Sequence, residues 1–172
     1  MIVFDIDQTL IDSSYRENKS RCHNSGSLNL PEYIRLKSLI SYDDILPLGK
    51  AFKSLKESRI LTGCDWRILT ARTFDARDFA SLSALLGFTS GDYVARVIRR
   101  DNIAKWQGNP LEQDSGKYKK PVLDYLAAKW GKLTVIDDCP SVIGLSGNFQ
   151  TFSAYDFYSM TEKECKDFIL FC

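Results

Sequence analysis

Two aspartates directly follow a short apolar segment near the start of the chain. Asp5 and Asp7 come after residues 2–4 (Ile-Val-Phe), and Thr9 follows two residues later. Alternate side chains of a strand share one face, so both carboxylates can lie at one site just beyond the strand. One carboxylate can attack phosphorus and bind Mg²⁺, while the other protonates the leaving oxygen and later activates a water. The alternative is a strand that simply ends in an acidic turn.

Three later segments supply the other groups that phosphoryl transfer needs. A strand predicted over residues 66–69 delivers the hydroxyl of Thr70. A strand predicted over residues 133–136 ends in a second acidic pair, Asp137 and Asp138. Between these strands, three lysines precede a predicted helical segment: Lys117, Lys119 and Lys120.

The charge of a phosphate monoester explains why these residue types belong together. The dianion repels an attacking carboxylate, so hydrolysis requires cations that offset the charge and fix an in-line geometry. Mg²⁺ prefers hard oxygen ligands and keeps several waters, so two or three protein carboxylates suffice. The four aspartates fit this demand. They fit zinc poorly, because the sequence has a single histidine, His23, and no Cys-x-x-Cys.

The chain resembles the haloacid dehalogenase superfamily of phosphohydrolases. The four motifs of that family are a D-x-D-x-T strand end, a strand-terminal Thr or Ser, a Lys near a helix start, and a strand-terminal acidic pair. All four can be placed here in the family's order, from Asp5 to Asp138. The resemblance implies an enzyme that forms an aspartyl-phosphate. The acid at position 7 favours phosphate esters over carbon–halogen or carbon–phosphorus bonds.

The resemblance also implies a role for each matching residue. Asp5 would be the nucleophile, and Asp7 would be the general acid and base. Thr70 would bind a phosphoryl oxygen, and Thr9 would orient the loop. Mg²⁺ would be held by groups from both acidic motifs: Asp5, the backbone carbonyl of Asp7, Asp137 and, directly or through water, Asp138.

The lysine of the third motif can be assigned in two ways. Lys119 precedes an apolar helical stripe that starts at Val122, which is the usual family arrangement, and we favour it. Lys120 directly precedes Pro121, another arrangement seen in the superfamily. The remaining lysines are then expected to be solvated at the start of the helix.

Predicted strands alternate with amphipathic helical segments, which indicates an α/β fold with a doubly wound parallel sheet. Apolar residues at helical spacing predict helices over three segments: Leu48 to Leu55, Phe79 to Leu86, which Gly87 ends, and Val122 to Trp130, which Gly131 ends. Two further elements are a strand with Val94, Val97 and Ile98, and a terminal helix with a capping box of Thr161 and Glu164. Ligands of such sheets bind beyond the carboxyl ends of the strands.

Two irregular stretches interrupt this pattern. The first, at about residues 13–44, is a small insert after the first strand, with a short helix expected from Pro31 to Ile40. It is too short for a full cap domain and predicts an open or lightly lidded site. We expect one domain over residues 1–172 that includes this insert.

The second stretch, from Arg99 to Lys119, places Trp106 among basic residues. Charge for phosphate and a ring for base stacking suit a nucleotide. The alternative is a tryptophan that packs the loop onto the domain. Arg72 is better placed to contact a substrate phosphate or to pair with a nearby acid. The candidate substrate-binding residues are therefore Thr9, Arg72, Lys120 and Trp106.

The composition is ordinary for a soluble globular protein, with 44% hydrophobic and 26% charged residues. The 23 basic and 22 acidic residues nearly cancel, so no global field draws the chain to nucleic acid or membrane. We expect a cytoplasmic protein, because the first strand leaves no room for a leader and no apolar run approaches the ~18 residues of a membrane span. Five scattered cysteines predict reduced thiols, and Cys139 is expected to be structural.

The sequence thus predicts a Mg²⁺-dependent phosphomonoesterase that acts on a nucleotide or a nucleic-acid phosphate end, without a membrane or an obligate protein partner. Residues 68–72 and 136–138 are similar to the phosphatase domain of polynucleotide kinases, but no G-x-x-x-x-G-K-[ST] loop occurs for a kinase. One alternative is a phosphatase of small metabolites such as sugar phosphates. Another is a non-catalytic phosphate-binding module, although binding alone has no use for a general acid at Asp7.

Overall fold

The computed structural model of the chain describes residues 1–21 and 29–172; Cys22 and His23 therefore lie outside the described residues. The strands of the described part are β1 (Ile2–Phe4), β2 (Ile11–Asp12), β3 (Asp44–Ile45), β4 (Trp66–Leu69), β5 (Val97–Ile98), β6 (Leu133–Asp137) and β7 (Phe149–Ser153). The α-helices are α1 (Ser14–Ser20), α2 (Leu30–Arg35), α3 (Pro47–Glu57), α4 (Ala76–Leu86), α5 (Ser90–Ala95), α6 (Ser115–Trp130), α7 (Pro140–Ile143) and α8 (Glu162–Phe171). Short 3-10 helices span Leu36–Tyr42, Ile60–Gly63, Ile103–Trp106 and Ala154–Phe157.

Five parallel strands form the main sheet, in the order β5-β4-β1-β6-β7. Strand β1 is central, and Phe4 is in register with Ile68 of β4 on one side and with Ile136 of β6 on the other. Parallel neighbours require crossover connections, and the helices between the strands supply them. The predicted α/β fold with a parallel sheet is confirmed.

Helices cover both faces of this sheet because the side chains of β1 alternate between two cores. Ile2 and Phe4 belong to a core built with α3, α4 and α8. Val3 belongs to a second core, built with α6 and α7. Strands buried on both faces read as continuous apolar runs, which is why residues 2–4 carry no polar side chain.

The predicted helices around Phe52, Leu82 and Leu126 are α3, α4 and α6, and all three are confirmed. Gly87 and Gly131, which follow α4 and α6, have φ angles of 67° and 84°, a region that glycine enters without steric cost. The capping box that begins α8 is also confirmed, with reciprocal hydrogen bonds between Thr161 and Glu164.

The start of α6 differs from the prediction. The helix begins at Ser115, so the three lysines lie inside it rather than before it. The side chain of Asp114 accepts a hydrogen bond from the amide of Lys117 at 2.8 Å and caps the helix. Pro121 therefore falls within the helix, where the burial of Tyr118 and Val122 on either side of it offsets the lost N–H donor.

The predicted strand around Val94 is shorter than expected. Val94 lies in α5 with 87% of its surface exposed, and only Val97 and Ile98 form β5. The physical reason is a capping box of Thr89 and Asp92, which starts a helix just before the strand.

A small insert follows β1, as predicted. Strands β2 and β3 form an antiparallel pair in which Ile11 is opposite Ile45, and α1, α2 and a 3-10 helix lie between them in the chain. The helix expected from Pro31 to Ile40 is α2 continued by the 3-10 helix Leu36–Tyr42. None of the helices in the described ranges has the length and apolar character needed to cross a bilayer.

Candidate active site

The ends of β1 and β6 bring three carboxylates together. The amide of Asp5 donates to the carbonyl oxygen of Ile136 at 3.0 Å, so the parallel pairing continues to the last residues of both strands. Asp5, Asp137 and Asp138 each offer one carboxylate oxygen, and these oxygens lie within 4.8 Å of one another. Asp5 and Asp137 are buried, at 8% and 2% exposure.

Helix α6 places one lysine against these acids. The Nζ atom of Lys119 lies 2.6 Å from Asp137 and 3.1 Å from Asp5, and the residue is buried. Lys120, by contrast, is exposed and pairs with Asp124 one helical turn later. Of the two lysines that the sequence favours, the structure therefore brings Lys119 to the acids.

The pKa shifts in this cluster follow from burial and charge. Burial alone would lower the pKa of Lys119, but Asp137 and Asp5 outweigh burial and raise it, so the side chain keeps its charge. The pKa of Asp5 is raised by burial and by the other two acids, with Lys119 acting in the opposite direction. Burial and then Asp137 raise the pKa of Asp138 to about 7. The charge of one lysine does not balance the charges of three carboxylates, so a further cation would stabilise the site.

The chemistry of this cluster suits a hard divalent cation. All of its side-chain donors are carboxylate oxygens, and Mg²⁺ selects such ligands. The carboxylate of Asp7, the fourth predicted metal ligand, is not part of the cluster. A role for Asp7 in metal binding would therefore rest on its backbone carbonyl, as the family resemblance implies.

The carboxylate of Asp7 is instead held by three groups from other parts of the chain. Arg72 contacts it with two nitrogens, Nε at 3.1 Å and the closely placed Nη2. The hydroxyl of Tyr33 donates to it at 2.8 Å, and Arg16 lies 3.5 Å away. Burial would raise the pKa of Asp7, but Arg72, Arg16 and Tyr33 outweigh burial and hold it well below its usual range. In this arrangement Asp7 is a carboxylate.

The two arginines share a further buried acid. Oδ2 of Asp43 accepts from Arg16 at 2.7 Å and from Arg72 at 3.3 Å. Arg16, Tyr33 and Asp43 are not among the predicted site residues, because all three lie in the irregular insert, where no periodic pattern marks a buried face. The sequence marks these residues only weakly. They are three side chains that can take part in catalysis, in a segment that starts and ends at the catalytic edge of the sheet.

The two predicted hydroxyl groups lie in the same region. Thr70 follows β4, is buried, and accepts the amide of Arg72 on its Oγ1 at 3.2 Å. Tyr118 donates to the Thr70 carbonyl at 3.2 Å and so ties this turn to α6. Thr9 is buried in the loop after β1, where its amide donates to Ile6 at 3.2 Å, and its Oγ1 has no hydrogen-bond partner among the described residues.

A cavity of about 280 Å³ opens onto these groups. Six of the predicted residues line it: Asp5, Asp7, Thr70, Arg72, Lys119 and Asp138. The other lining residues include Arg16 and Tyr33 from the insert, and Cys139, Pro140 and Tyr155 from the segments after β6 and β7. The four predicted catalytic residues, Asp5, Asp7, Thr70 and Lys119, thus line one cavity at the carboxyl ends of the strands.

Three predicted substrate-binding residues, Thr9, Lys120 and Trp106, are not part of the cavity lining. Thr9 is buried in the loop after β1. Lys120 faces solvent, as described above. Trp106 packs edge-on against Tyr125 with 6.0 Å between the ring centroids, in the core on the α6 side of the sheet. The neighbouring Arg100 donates to the carbonyl oxygens of Ala71, Pro110 and Glu112 and so holds the loop in place. This placement agrees with the packing alternative for Trp106.

Comparison with known proteins gives a family. Searches of curated proteins and of solved structures find no significant match. The family described as bacteriophage T5 5′-deoxynucleotidase matches residues 1–163, which include every residue of the site. The parallel sheet is consistent with a core of the haloacid dehalogenase type. The chain therefore belongs to the bacteriophage T5 5′-deoxynucleotidase family, whose members are nucleotide phosphomonoesterases.

Proposed function

We propose that the protein is a Mg²⁺-dependent phosphomonoesterase of the haloacid dehalogenase type, acting on deoxynucleoside 5′-monophosphates. The observation that carries the proposal is the cluster of Asp5, Lys119 and the acidic pair, of which Asp5, Lys119 and Asp138 line one cavity. This set supplies a nucleophile, a fixed cation and a site for a metal ion within a few ångströms, which hydrolysis of a phosphate dianion requires.

The chain's own residues account for the covalent step. A carboxylate oxygen of Asp5 attacks phosphorus, the bond between phosphorus and the sugar oxygen breaks, and an aspartyl-phosphate forms. Lys119, held 3.1 Å from Asp5, offsets the negative charge on the transferring group. The hydroxyl of Thr70 is a hydrogen-bond donor for a phosphoryl oxygen. In the second step a water attacks the same phosphorus, which releases phosphate and restores the Asp5 carboxylate.

The metal ion would be held by Asp5, Asp137 and Asp138, the residues whose oxygens already lie together. When bound, Mg²⁺ supplies positive charge that the single lysine does not provide and lowers the repulsion between phosphate and Asp5.

The proton transfers are the proposed role of Asp7. It must give a proton to the leaving oxygen and later take one from the attacking water. Its pKa is low in the resting site because Arg72 and Arg16 lie against it. A bound phosphate carries negative charge into the same field, so it weakens the effect of the arginines and raises the pKa of Asp7 towards the range of a general acid.

The substrate class follows from the family, whose description names 5′-deoxynucleotides. Arg16 and Tyr33 of the insert line the cavity, so the insert forms part of the cavity wall. Phosphorylated nucleic-acid ends and sugar phosphates are the competing substrates, and the assay below separates them.

The test is a comparison of kcat/KM for deoxynucleoside 5′-monophosphates, ribonucleoside 5′-monophosphates, a 3′-phosphorylated oligonucleotide and 2-deoxyribose 5-phosphate, each with Mg²⁺ and with EDTA. We expect the highest value for the deoxynucleotides, and loss of activity in EDTA. Asp5→Asn should abolish turnover, since an amide neither attacks phosphorus nor carries the charge that binds Mg²⁺. Asp124→Asn, an exposed aspartate on α6, is the matched control and should keep full activity. Activity of Asp5→Asn within tenfold of the wild type would rule out the assigned nucleophile.

A further inference from the structure

Charged and uncharged side chains both line the cavity. Asp5, Lys119 and Arg72 lie where the transferring phosphoryl group must be. Cys139, Pro140 and Tyr155 line it from the segments that follow β6 and β7. A nucleotide needs both kinds of surface, because it carries charge at the phosphate and a flat, neutral base at the other end.

Two aromatic residues line the cavity within the described part of the chain, and only one has a free ring face. Tyr33 is 7% exposed, its hydroxyl is bonded to Asp7, and the guanidinium of Arg16 lies 4.3 Å from the centre of its ring. Tyr155 is 54% exposed although it borders the cavity. Its ring is the accessible aromatic surface at this site.

The ring of Tyr155 is also supported from behind. Tyr158 packs against it at 63° with 5.2 Å between the ring centroids. The hydroxyl of Tyr158 donates to the backbone carbonyl of Gln8 at 2.7 Å, in the loop that carries Asp7 and Thr9. Ala154 and Phe157 of the same 3-10 helix are buried. The contact with Tyr158 thus ties the ring to the loop that carries the acids of the first motif, so little conformational freedom would be lost on binding.

We propose that Tyr155 stacks on the base of the bound deoxynucleotide and so determines the preference for nucleotides over smaller phosphate esters. This inference rests on the proposed function and adds to it the residue that recognises the base. Base stacking on an aromatic ring tolerates every base, because each base has a π-face. It therefore fits an enzyme that accepts several deoxynucleotides.

The test compares dTMP with 2-deoxyribose 5-phosphate. Both contain deoxyribose and a 5′-phosphate, but only dTMP carries a base. Tyr155→Ala should raise KM for dTMP roughly ten- to hundredfold more than KM for the sugar phosphate, the range of a lost base–aromatic stack. Tyr155→Phe should retain the ratio of the wild type within about threefold, because the ring is kept. Phe171→Ala removes a ring that is more exposed than Tyr155, 89% at the end of α8, and should leave both KM values unchanged.

A second measurement does not depend on turnover. Binding of dTMP to Asp5→Asn, measured by calorimetry with and without Tyr155→Ala, should weaken by the same factor as KM. Equal effects of Tyr155→Ala on both substrates, or no effect on dTMP binding, would overturn the stacking role. Failure of the wild type to hydrolyse any of these esters would instead overturn the proposed function, and the binding measurement would then still decide whether Tyr155 contacts the base.

Discussion

Replacement of Lys119 by methionine tests the charge balance of the site directly. Methionine keeps an unbranched apolar stem but removes the cation that lies 2.6 Å from Asp137 and 3.1 Å from Asp5. The side chain of Lys119 is 3% exposed, so water cannot screen the neighbouring acids once the positive charge is removed. Removal of one partner of a buried ion pair costs about 3–5 kcal/mol of stability. For a chain of this size the melting temperature should fall by roughly 6–20 °C.

The same variant makes a second, opposite prediction for metal binding. Without the lysine, Asp5, Asp137 and Asp138 repel one another more strongly, and a divalent cation relieves that repulsion. Saturating Mg²⁺ should therefore raise the melting temperature of Lys119→Met by more than that of the wild type; a ligand at 100 times its Kd stabilises by about 2.7 kcal/mol. Catalysis should stay lost, because Mg²⁺ cannot occupy the position of the ammonium group as well as its own.

The assay is thermal unfolding followed by circular dichroism, in EDTA and in Mg²⁺. Lys120→Met is the matched control on the same helix: its side chain is 41% exposed, pairs with the exposed Asp124 and lies 6.0 Å from the ring centre of Phe149, so the substitution should shift the midpoint by less than about 2 °C. If Lys119→Met melts within about 2 °C of Lys120→Met in EDTA, then Lys119 does not balance the acids, and the electrostatic reasoning for the site fails. Lys119→Arg keeps the charge and should recover much of the stability even if its geometry reduces turnover.

Three further predictions address other parts of the molecule. Asp7→Asn should lower kcat by roughly 10²–10⁴ for deoxynucleotides and by less for p-nitrophenyl phosphate, whose leaving group needs little protonation; equal losses for both would exclude a general acid. Trp106→Ala should lower the melting temperature, since the ring packs against Tyr125, with little change in KM for dTMP; a rise in that KM at unchanged stability would instead place Trp106 at the substrate. Asp92 is buried in part, which raises its pKa, but hydrogen bonds from Lys56 and Thr89 outweigh burial and lower it, so its stabilising contribution is present above about pH 4 and is lost as the pH falls further; the melting temperatures of Asp92→Asn and the wild type should differ at pH 7, and the difference should shrink as the pH is lowered below about 4.

The sequence predicts the acids of the site because they stand at strand ends. Residues 2–4 and 133–136 are apolar runs of strand length, and the carboxyl ends of parallel strands meet at one edge of the sheet. Lys119 is predictable for a similar reason. It shares a helical face with Val122 and Leu126, so the face that buries those side chains also turns the lysine inward.

The insert and β7 escape the same reasoning. The insert is a polar segment that contains Arg16, Tyr33 and Asp43. These side chains reach Asp7 and Arg72 through contacts between residues distant in sequence, and no local periodicity encodes such contacts. Strand β7 lies at the edge of the sheet and is only partly buried, so its residues lack a strong apolar run. Because β7 is not predicted, the sequence also gives no indication that Tyr155 follows a strand end and lies at the same edge of the sheet as Asp5 and Asp137.

The central position of β1 in the sheet has a consequence for how the protein is made. Strand β1 is synthesised first, but its two neighbours, β4 and β6, leave the ribosome much later. Asp137 follows Asp5 by about 130 residues, which takes on the order of ten seconds at typical rates of synthesis. Both edges of β1 lack their final partners until β4 (Trp66–Leu69) is made, and the edge that pairs with β6 lacks its partner for the whole interval. Unpaired apolar edges invite association with other chains. The strand that is best protected in the finished protein is therefore exposed for longest during translation.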